Sequence, residues 1–366
     1  MSKMKKFCII STVDVTRMSI SSLYIKYLES KGVVCDVVTV KKFDESKKME
    51  GVRNQYEFDT RKTRKYSFIR KYLYFRKLVP FFDKINRENQ YDFIIVWNEL
   101  TTFIFANYLK KHFTNRYCVN IRDYQFFRVP LVNRRISKAL NNSYFSTSSS
   151  AKYFPYFKNI KKPFLPFFSM NFNLLKSLNN NRPNDLKGED QINILYIGQV
   201  QWLKYAYKFV DVFANNPKFN LIFAGTGSES ITQYIEGKNI SNIEVYGRFL
   251  PGEESKFLNR ADIFYNLYGA ENKHLQYALS IKLYYAVYLS KPILTIANTY
   301  TDELARDNMI GITTTLEEMD HLPIDVEKFI EQFDYQKVKQ KCDESIKNFE
   351  ENQKKIFAYI DEVINK

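Results

Sequence analysis

The chain has 366 residues, of which 45% are apolar and 26% are charged, so its composition is that of a folded protein and excludes a disordered one. This length favours two domains. The four cysteines lie far apart in the sequence, which argues against a disulfide framework or a zinc motif and fits a reducing cytoplasm. The apolar run after the first lysines is too short for a signal peptide or a membrane span, and we interpret it as a β-strand.

The positive charge is concentrated in the first half of the chain. The net charge is +15, but residues 1–180 contain 34 Lys and Arg against 13 Asp and Glu, and the remainder is acidic. This asymmetry indicates that the first half faces an anionic partner, which is a lipid surface, a phosphorylated acceptor or a nucleic acid. An ordinary solvated basic surface would also explain it.

Apolar runs separated by helical patterns predict strands in two groups. The first group is KFCIIST, VVCDVVTV, YDFIIVWNE, RYCVNIRDY and NSYFSTS, and the second is INILYIG, FNLIFAG, NIEVYG, ADIFYNLYG and KPILTIA. Continuous apolar strands alternating with helices are typical of parallel sheets that are covered on both faces. We therefore predict an α/β protein of two Rossmann-like, doubly wound domains that face a central cleft, with ligands at the carboxyl ends of the strands.

The domain boundaries follow from composition. We predict a basic first domain over residues 1–172, an Asn-rich linker over 173–191, a second α/β domain over 192–333 and a long charged helix over 334–366.

Glycines place the expected nucleotide site in the second domain. Nine of the eleven glycines lie at or beyond Gly188, whereas the loop STVDVTRMS after the first strand contains none. Gly198, Gly225 and Gly227 follow strand ends in the second half, where close approach of the backbone to phosphate would need them. The Gly-x-Gly pair is a weak motif, and it also fits a tight turn.

Three basic residues follow three strand ends of the second domain. They are Lys204, Arg248 and Lys282, and we expect them to converge on a diphosphate, although each alone also fits a solvated surface charge. ALSIKLYYA places Ser280 and Lys282 at the start of a helix, where free N–H groups and the helix dipole favour an anion.

Four segments of the second half resemble the donor domain of GT-B glycosyltransferases, and most of all the family-4 type that builds bacterial capsule, exopolysaccharide or O-antigen. They are YIGQVQWLK, FNLIFAGTGSES, NIEVYGRFLPGEESKFLNRADIFYNLYG and ALSIKLYYAVYLSKPIL, which together cover residues 192–296. YDFIIVWNE and RYCVNIRDY resemble the family's acceptor domain more loosely. The last helix resembles the one that crosses back onto the first domain in this fold.

The resemblance implies a nucleotide-sugar donor, with a UDP-sugar favoured, and neither a metal ion nor a resident cofactor. In the family an arginine and, five residues later, a lysine bind the donor diphosphate; here Lys204 keeps the lysine and Gln199 replaces the arginine. Two family glutamates, eight residues apart, fall at Tyr277 and Tyr285, which offer a hydroxyl but no carboxylate. The expected donor-binding residues are Gly198, Gln199, Lys204, Gly225, Gly227, Arg248, Phe249, Tyr277, Ser280, Lys282 and Tyr285.

Not every tyrosine of the ALSIKLYYA helix is expected in the site. Tyr284 and Tyr288, which lie four residues apart, are predicted to pack between helix and sheet. For Tyr285, packing and donor binding remain open.

Candidates for a catalytic base lie at strand ends of the first half and in one loop of the second. They are Asp14, Glu99, Asp123 and His274. Asp123 also fits a pair with Arg122, and His274 also fits a solvated loop residue. Transfer in which the leaving phosphate takes the proton needs none of them, so the base stays open.

Residues 61–82, RKTRKYSFIRKYLYFRKLVPFF, interleave basic pairs with aromatics. The pairs wind around a helix instead of forming one face, but their side chains suit an anionic headgroup boundary. We therefore expect a cytoplasmic glycosyltransferase, peripheral on the inner face of the cell membrane, whose acceptor is a lipid-linked saccharide or an oligosaccharide. The alternatives are a nucleotide-sugar 2-epimerase of the same fold, a non-catalytic relative and a nucleic-acid-binding protein; no recognised nucleic-acid module is present, so no nucleic-acid partner is expected.

Overall fold

A computed structural model describes residues 4–18, 20–44, 48–178, 186–250 and 252–366. They form two compact units, one made of Met1–Phe168 with Glu351–Lys366 and the other of Ser169–Glu350. Each unit contains one sheet whose strand pairs are all parallel. The prediction of two doubly wound α/β units is confirmed.

The first unit has a seven-stranded sheet in the order β3-β2-β1-β4-β5-β6-β7. Its strands are β1 Lys6–Ser11, β2 Val34–Lys41, β3 Gln55–Asp59, β4 Phe93–Trp97, β5 Tyr117–Ile121, β6 Phe145–Ser148 and β7 Phe164–Pro166. Its helices are α1 Ser21–Ser30, α2 Phe68–Phe75, α3 Leu78–Asn89, α4 Glu99–His112 and α5 Pro130–Asn142.

The second unit has a six-stranded sheet in the order β10-β9-β8-β11-β12-β13. Its strands are β8 Ile192–Ile197, β9 Phe219–Ala224, β10 Ile243–Tyr246, β11 Ile263–Asn266, β12 Ile293–Ile296 and β13 Gly311–Thr314. The helices that begin within it are α6 Phe172–Lys176, α7 Leu203–Phe213, α8 Glu229–Ile235, α9 Glu254–Leu258, α10 Lys273–Tyr277, α11 Ile281–Leu289, α12 Tyr300–Asp307, α13 Leu322–Gln332 and α14 Tyr335–Asn365.

The end of α14 belongs to the first unit because its apolar side chains are buried there. Ile356 and Ile360 are fully buried in the core cluster of that unit, and the ring of Phe357 stacks on Tyr27 with centroids 4.0 Å apart. Burying each isoleucine stabilises by about 2 kcal/mol. Lys354 and Lys355, just before them, are exposed, which explains why the helix is polar overall and still fixed at its end.

Both sheets reverse their strand order beside the first strand of the unit. In the second unit the reversal lies between β8 and β11, which are neighbours in the sheet. In doubly wound folds ligands bind in the crevice at the carboxyl ends of such a pair. The loops after β8 and β11 are therefore the place to look for a site.

Three strands that the structure contains were not predicted: β3, β7 and β13. All three are only partly buried; β3, for example, is half-exposed and alternates polar with aromatic residues. Such a strand is formed by pairing with its neighbour, and the apolar pattern that we used does not detect it.

The structure of two predicted segments, the linker and residues 61–82, differs in detail from what we expected. Of the linker 173–191, residues 179–185 lie outside the described residues; the rest includes part of α6, and Leu186 is buried in the core of the second unit. Residues 61–82 form a 3-10 turn at Arg61–Lys65, then α2 and the start of α3.

No helix in the described ranges combines the length and the apolar character that crossing a bilayer needs.

Candidate functional site

A pocket of about 280 Å³ opens at the carboxyl ends of β8 and β11, at the switch point of the second sheet. It is lined by Ile197, Gly198, Gln199, Gln201, Trp202, Tyr268, Ser280, Ile281 and Lys282. Four of these residues were predicted to bind the donor, namely Gly198, Gln199, Ser280 and Lys282. None of the lining residues is acidic, so the only formal charge among them is that of the lysine.

Lys282 is the chemical centre of this pocket. Its side chain is 3% exposed, and burial lowers its pKa from 10.5 to about 7. The Nζ atom donates a hydrogen bond to the hydroxyl of Tyr268, and it lies 4.7 Å from the centroid of that ring and 5.2 Å from the ring of Tyr196. Keeping this buried ammonium charged costs free energy, because aromatic rings surround it and no carboxylate lines the pocket. An anionic ligand would offset that cost.

The start of α11 lies at the same pocket. Ser280 caps the helix, and its Oγ accepts a hydrogen bond from the backbone N–H of Lys282 over 3.3 Å. The N–H of Ser280 itself donates to Oγ1 of Thr301, also over 3.3 Å, which holds the cap in place. The positive end of the helix dipole therefore lies beside Lys282, an arrangement that favours phosphate groups.

Gly225 and Gly227 lie where the loops after β8 and β9 pack against each other. A Cβ atom at Gly225, which has φ +137°, would lie 1.9 Å from the carbonyl oxygen of Gly198, and one at Gly227 would lie 2.9 Å from that of Val200. The two loops are joined by backbone bonds, including one from Val200 N–H to Thr226 O of 2.8 Å. These glycines therefore let one loop pack against the other and hold the pocket wall, and they do not line the pocket themselves.

The structure does not bring Lys204 or Arg248 into this pocket. Lys204 lies in the first turn of α7 and Arg248 follows β10, and both side chains are exposed. Phe249 packs on Phe257, with ring centroids 5.2 Å apart. Of the three cations that we expected to converge, only Lys282 lines this pocket.

The tyrosines at the two family glutamate positions also lie outside the pocket lining. Tyr277 ends α10, half-buried, with Lys273 Nζ 6.0 Å from its ring. Tyr285 is buried on α11, and its ring lies 6.3 Å from that of Phe264. Tyr284 is buried against Phe349, with ring centroids 5.6 Å apart.

Three aromatic residues of the site were not identified from the sequence. Tyr196 and Tyr268 surround Lys282, and Trp202, with φ +58° and 39% of its surface exposed, forms part of the rim. Tyr196 and Tyr268 lie in or next to apolar strand segments, where an aromatic residue normally signals core. Trp202 was visible only as a large aromatic residue in a loop, a position that frequently serves binding.

The predicted bases of the first unit differ in their surroundings. Asp14 caps the turn after β1: its Oδ1 accepts from the backbone N–H of Thr16 over 3.1 Å, and its Oδ2 accepts from that of Lys42 over 3.0 Å. Both oxygens are thus engaged in holding the backbone. Asp123 is exposed after β5. Neither Asp14 nor Asp123 lines the pocket around Lys282.

Glu99 is the first residue of α4 and follows the capping residue Asn98. Its Oε2 is buried and has no hydrogen-bond partner among the described residues. Burial, together with the charge of Asp123, raises the pKa of this carboxyl from 4.5 to about 8. At neutral pH Glu99 is therefore mostly protonated, so it can donate a hydrogen bond and is a poor base.

His274 lies on the short helix α10 and is half-buried. Its Nδ1 is buried and has no partner among the described residues. It does not line the pocket around Lys282. In the described part of the chain, no three His, Cys, Asp or Glu side chains come together as ligands for a metal ion would.

Comparisons with known proteins support the fold. No family model and no curated protein matches the sequence. Among solved structures, α,α-trehalose 6-phosphate synthase from Burkholderia multivorans superposes over 99% of both chains with a TM-score of 0.65 and 9% identity. HepE from Anabaena, solved in complex with UDP and glucose, superposes over 94% of this chain and 100% of its own with a TM-score of 0.59 and 14% identity.

A third similar structure belongs to another class of enzyme. A Listeria monocytogenes protein described as a UDP-N-acetylglucosamine 2-epimerase superposes over 92% of this chain and 91% of its own, with a TM-score of 0.59 and 11% identity. Likenesses at these identities establish the GT-B fold of two Rossmann-like domains. Function must be argued from the site.

Proposed function

We propose that this protein is a glycosyltransferase that moves a sugar from a nucleotide-sugar donor, with a UDP-sugar favoured, to a lipid-linked saccharide in the synthesis of a bacterial surface polysaccharide. The observation that carries the proposal is the buried Lys282 at the start of α11, in a pocket whose lining contains no carboxylate. A bound diphosphate would supply the negative charge that the pocket lining does not place beside this lysine.

In this proposal Lys282, beside the positive end of the α11 dipole, binds the diphosphate of the donor. When the sugar leaves, the bond from its anomeric carbon to the phosphate oxygen breaks and negative charge grows on that oxygen. A positive charge already placed beside it stabilises the transition state. Tyr268 orients the lysine through its hydrogen bond. The positive charge comes from the chain itself, so the proposal includes no metal ion and no resident cofactor.

The acceptor hydroxyl forms the new bond to the anomeric carbon and loses its proton. Of the predicted bases, Glu99 is mostly protonated near neutral pH and Asp14 is engaged in capping. The proton therefore goes to Asp123, which is exposed, to His274, whose Nδ1 has no partner among the described residues, or to the departing phosphate.

A thermal-shift screen with UDP, GDP, CDP and their sugars tests donor binding. A ligand at 100 times its dissociation constant stabilises the folded state by about 2.7 kcal/mol. Lys282→Ala should weaken nucleoside-diphosphate binding about tenfold or more, since a charge-assisted hydrogen bond is lost. Lys238→Ala, which removes an exposed lysine of the same unit, is the matched control. Equal affinity of the Lys282 variant and the wild type would remove the observation on which the proposal rests.

We also propose that the first unit contacts the inner face of the membrane. Leu131 on α5 is 78% exposed and Leu73 on α2 is 52% exposed. The two helices are neighbours through α4, because Tyr72 and Arg135 both contact the ring of Phe103, at 5.8 and 4.7 Å. Exposed aliphatic side chains on a basic surface suit an anionic bilayer.

Vesicle sedimentation tests membrane contact. We expect the protein to sediment with vesicles that contain anionic lipid and to remain in solution with neutral ones. Leu73→Ser combined with Leu131→Ser should reduce recovery with anionic vesicles, and Ile324→Ser, at an exposed position of the second unit, is the matched control. Equal recovery of wild type with both vesicle types would contradict the electrostatic part.

A 2-epimerase is the second candidate, because the Listeria protein shares the fold. An epimerase acts on the nucleotide sugar alone, whereas a transferase consumes it only when an acceptor, sugar or water, receives the sugar. Incubating the protein with UDP-N-acetylglucosamine in deuterated water separates the two. Deuterium at the second carbon of the sugar would favour the epimerase, and its absence together with acceptor-dependent release of UDP would favour the transferase.

A further inference from the structure

Trp202 lies on the rim of the Lys282 pocket in a strained backbone conformation. It directly precedes α7, and its φ of +58° and ψ of +49° are in the left-handed region. Bulky residues rarely adopt this conformation, because their Cβ then crowds the backbone. Strain of this kind is kept where the surrounding structure holds it, and it concentrates at sites that bind ligands.

Hydrogen bonds hold the loop that carries Trp202. The hydroxyl of Tyr196 donates to the carbonyl of Gln199 over 3.1 Å and accepts the N–H of Gln201 over 3.0 Å. The ring of the same tyrosine lies 5.2 Å from Nζ of Lys282. One residue thus positions both the loop and the lysine, so the rim is organised before a ligand arrives.

The indole ring of Trp202 has no specific partner within the described ranges. There, no aromatic ring packs on it, no cation lies over it and its Nε1–H donates no hydrogen bond. The side chain is 39% exposed and lines the pocket. It therefore offers a ligand a flat apolar face with one N–H donor at the edge.

Two glutamines of the same loop add neutral hydrogen-bonding groups. Gln199 and Gln201 line the pocket and are exposed, whereas Val200 between them is buried. Their amide groups have no hydrogen-bond partner among the residues that the structure describes. An amide both donates and accepts without carrying charge, which suits the hydroxyl groups of a sugar. The C–H bonds of a sugar ring suit the electron-rich face of an indole.

The position of Lys282 limits which part of a nucleotide sugar can reach this rim. A volume of about 280 Å³ is at the small end of ligand sites, so the pocket holds only the part of the ligand beside the diphosphate. The transferred sugar is bonded directly to the diphosphate, whereas the base is separated from it by the ribose. The ring beside the diphosphate is therefore the transferred sugar or the ribose, and only the first is missing from UDP.

We infer that Trp202 stacks on the transferred sugar of the donor and helps to select it. This inference rests on the proposed function, in which Lys282 binds the donor diphosphate. Sugars that differ in the direction of one hydroxyl group present different C–H faces to the indole, so the contact distinguishes one donor sugar from another.

Calorimetry without acceptor tests the contact, with UDP, UDP-glucose, UDP-galactose and UDP-N-acetylglucosamine as probes. We expect at least one UDP-sugar to bind the wild type more tightly than UDP does. Trp202→Gly should reduce the affinity for that sugar about tenfold and leave the affinity for UDP unchanged. Glycine adopts positive φ freely, so this variant removes the ring and permits the same loop conformation. Trp202→Phe keeps a ring and should recover part of the loss.

Met309→Gly is the matched control for the glycine variant. Met309 belongs to the same unit, also has positive φ, at +59°, and is 43% exposed, but it does not line the pocket. It should bind all four probes like the wild type. An equal loss of UDP-sugar affinity in the Met309 and Trp202 variants would overturn the inference, as would an equal loss of UDP and UDP-sugar affinity in Trp202→Gly.

Tryptophan fluorescence reports on the same contact directly. The chain contains two tryptophans, and the other one, Trp97, is only 3% exposed, so acrylamide quenches mainly Trp202. The tightest UDP-sugar should protect the fluorescence from acrylamide much better than UDP does, and Trp202→Gly should abolish this difference. Equal protection by UDP and the UDP-sugar would place the nucleoside against the indole and would contradict the inference.

The inference and the proposed function fail in different ways. If the wild type binds UDP but binds no UDP-sugar more tightly, the donor site stands and the role of Trp202 is wrong. If the wild type binds neither UDP nor any UDP-sugar, both are wrong. Lys282→Ala should weaken UDP and the UDP-sugars alike, whereas Trp202→Gly should weaken the UDP-sugars alone.

Discussion

The ammonium group of Lys282 donates a hydrogen bond to the hydroxyl of Tyr268 and lies 4.7 Å from the centroid of the same ring. The lysine follows the first residue of α11, whereas the tyrosine follows β11, so two elements must both be in place for the contact to form. The tyrosine gives the buried Nζ a neutral acceptor. It thereby orients a cation without neutralising it, which leaves the charge available to a ligand.

Binding of a nucleoside diphosphate should take up a proton. The pKa of Lys282 is lowered to about 7 by burial, so the free lysine is mostly neutral above that pH, and a bound diphosphate raises its pKa again. Calorimetric titration with UDP at about pH 8, in buffers of different ionisation enthalpy, should report uptake close to one proton, and at about pH 6 close to none. A Lys282→Met variant should show no dependence on buffer at either pH. Buffer-independent heats in the wild type at the higher pH would contradict this prediction.

Tyr268→Phe should weaken UDP binding while the pocket keeps its shape. The ring remains over Nζ, but the hydroxyl that accepts its hydrogen bond is lost, and a hydrogen bond to a charged group contributes roughly 2 kcal/mol, or more than tenfold in affinity. The pH midpoint of proton uptake should move lower as well, because the charged lysine loses its acceptor. Tyr234→Phe, whose hydroxyl donates to Asp211 and which does not line the pocket, is the control and should bind UDP normally. Unchanged affinity and an unchanged midpoint in the Tyr268 variant would show that its hydroxyl does not position the lysine.

The sequence identified the residues at the start of α11 better than those in the loops after the strands. Ser280 and Lys282 were found because a capping residue and a helical pattern mark a helix start, and this signal is local. Lys204 and Arg248 were predicted from their position after a strand, but the direction of a side chain there depends on the path of the loop. Trp202, with φ +58°, shows how far that path departs from regular structure just before Lys204.

The fold, too, was predicted best where the signal is local in the sequence. Strands such as β4 and β9, buried over their whole length, were visible as apolar runs because a parallel sheet covered on both faces requires them. β3 and β13 lie at the edges of their sheets and have only partly buried faces. Their sequences, QYEFD and GITT, contain no continuous apolar run, so the pattern that we used could not reveal them.

Gly225→Ala should destabilise the second unit and disrupt the pocket. The added Cβ would meet the carbonyl oxygen of Gly198 at 1.9 Å, so one loop must move away from the other. Gly237→Ala is a matched control, since that residue also has positive φ, at +75°, but nothing lies within 4 Å of the new atom. We expect the control to lose about 1 kcal/mol in the free energy of unfolding and the Gly225 variant roughly 3 kcal/mol or more, together with UDP binding. Chemical denaturation and UDP titration measure both, and equal losses in the two variants would show that the loop contact is not needed.

Glu99→Gln should change how stability depends on pH. The pKa of Glu99 is raised from 4.5 to about 8, mainly by burial, so between these values the folded state holds a proton that the unfolded state has released. The free energy of unfolding of the wild type therefore contains a part that falls as pH rises through this range. Glutamine resembles the protonated carboxyl and does not titrate, so the variant should lack that part and gain on the wild type as pH rises. Urea unfolding at about pH 5 and about pH 8 measures the difference, with Glu88→Gln, exposed on α3, as control. Parallel pH dependences of the Glu99 variant and the wild type would mean that Glu99 is ionised in the folded protein, and it would then return as a candidate for the catalytic base.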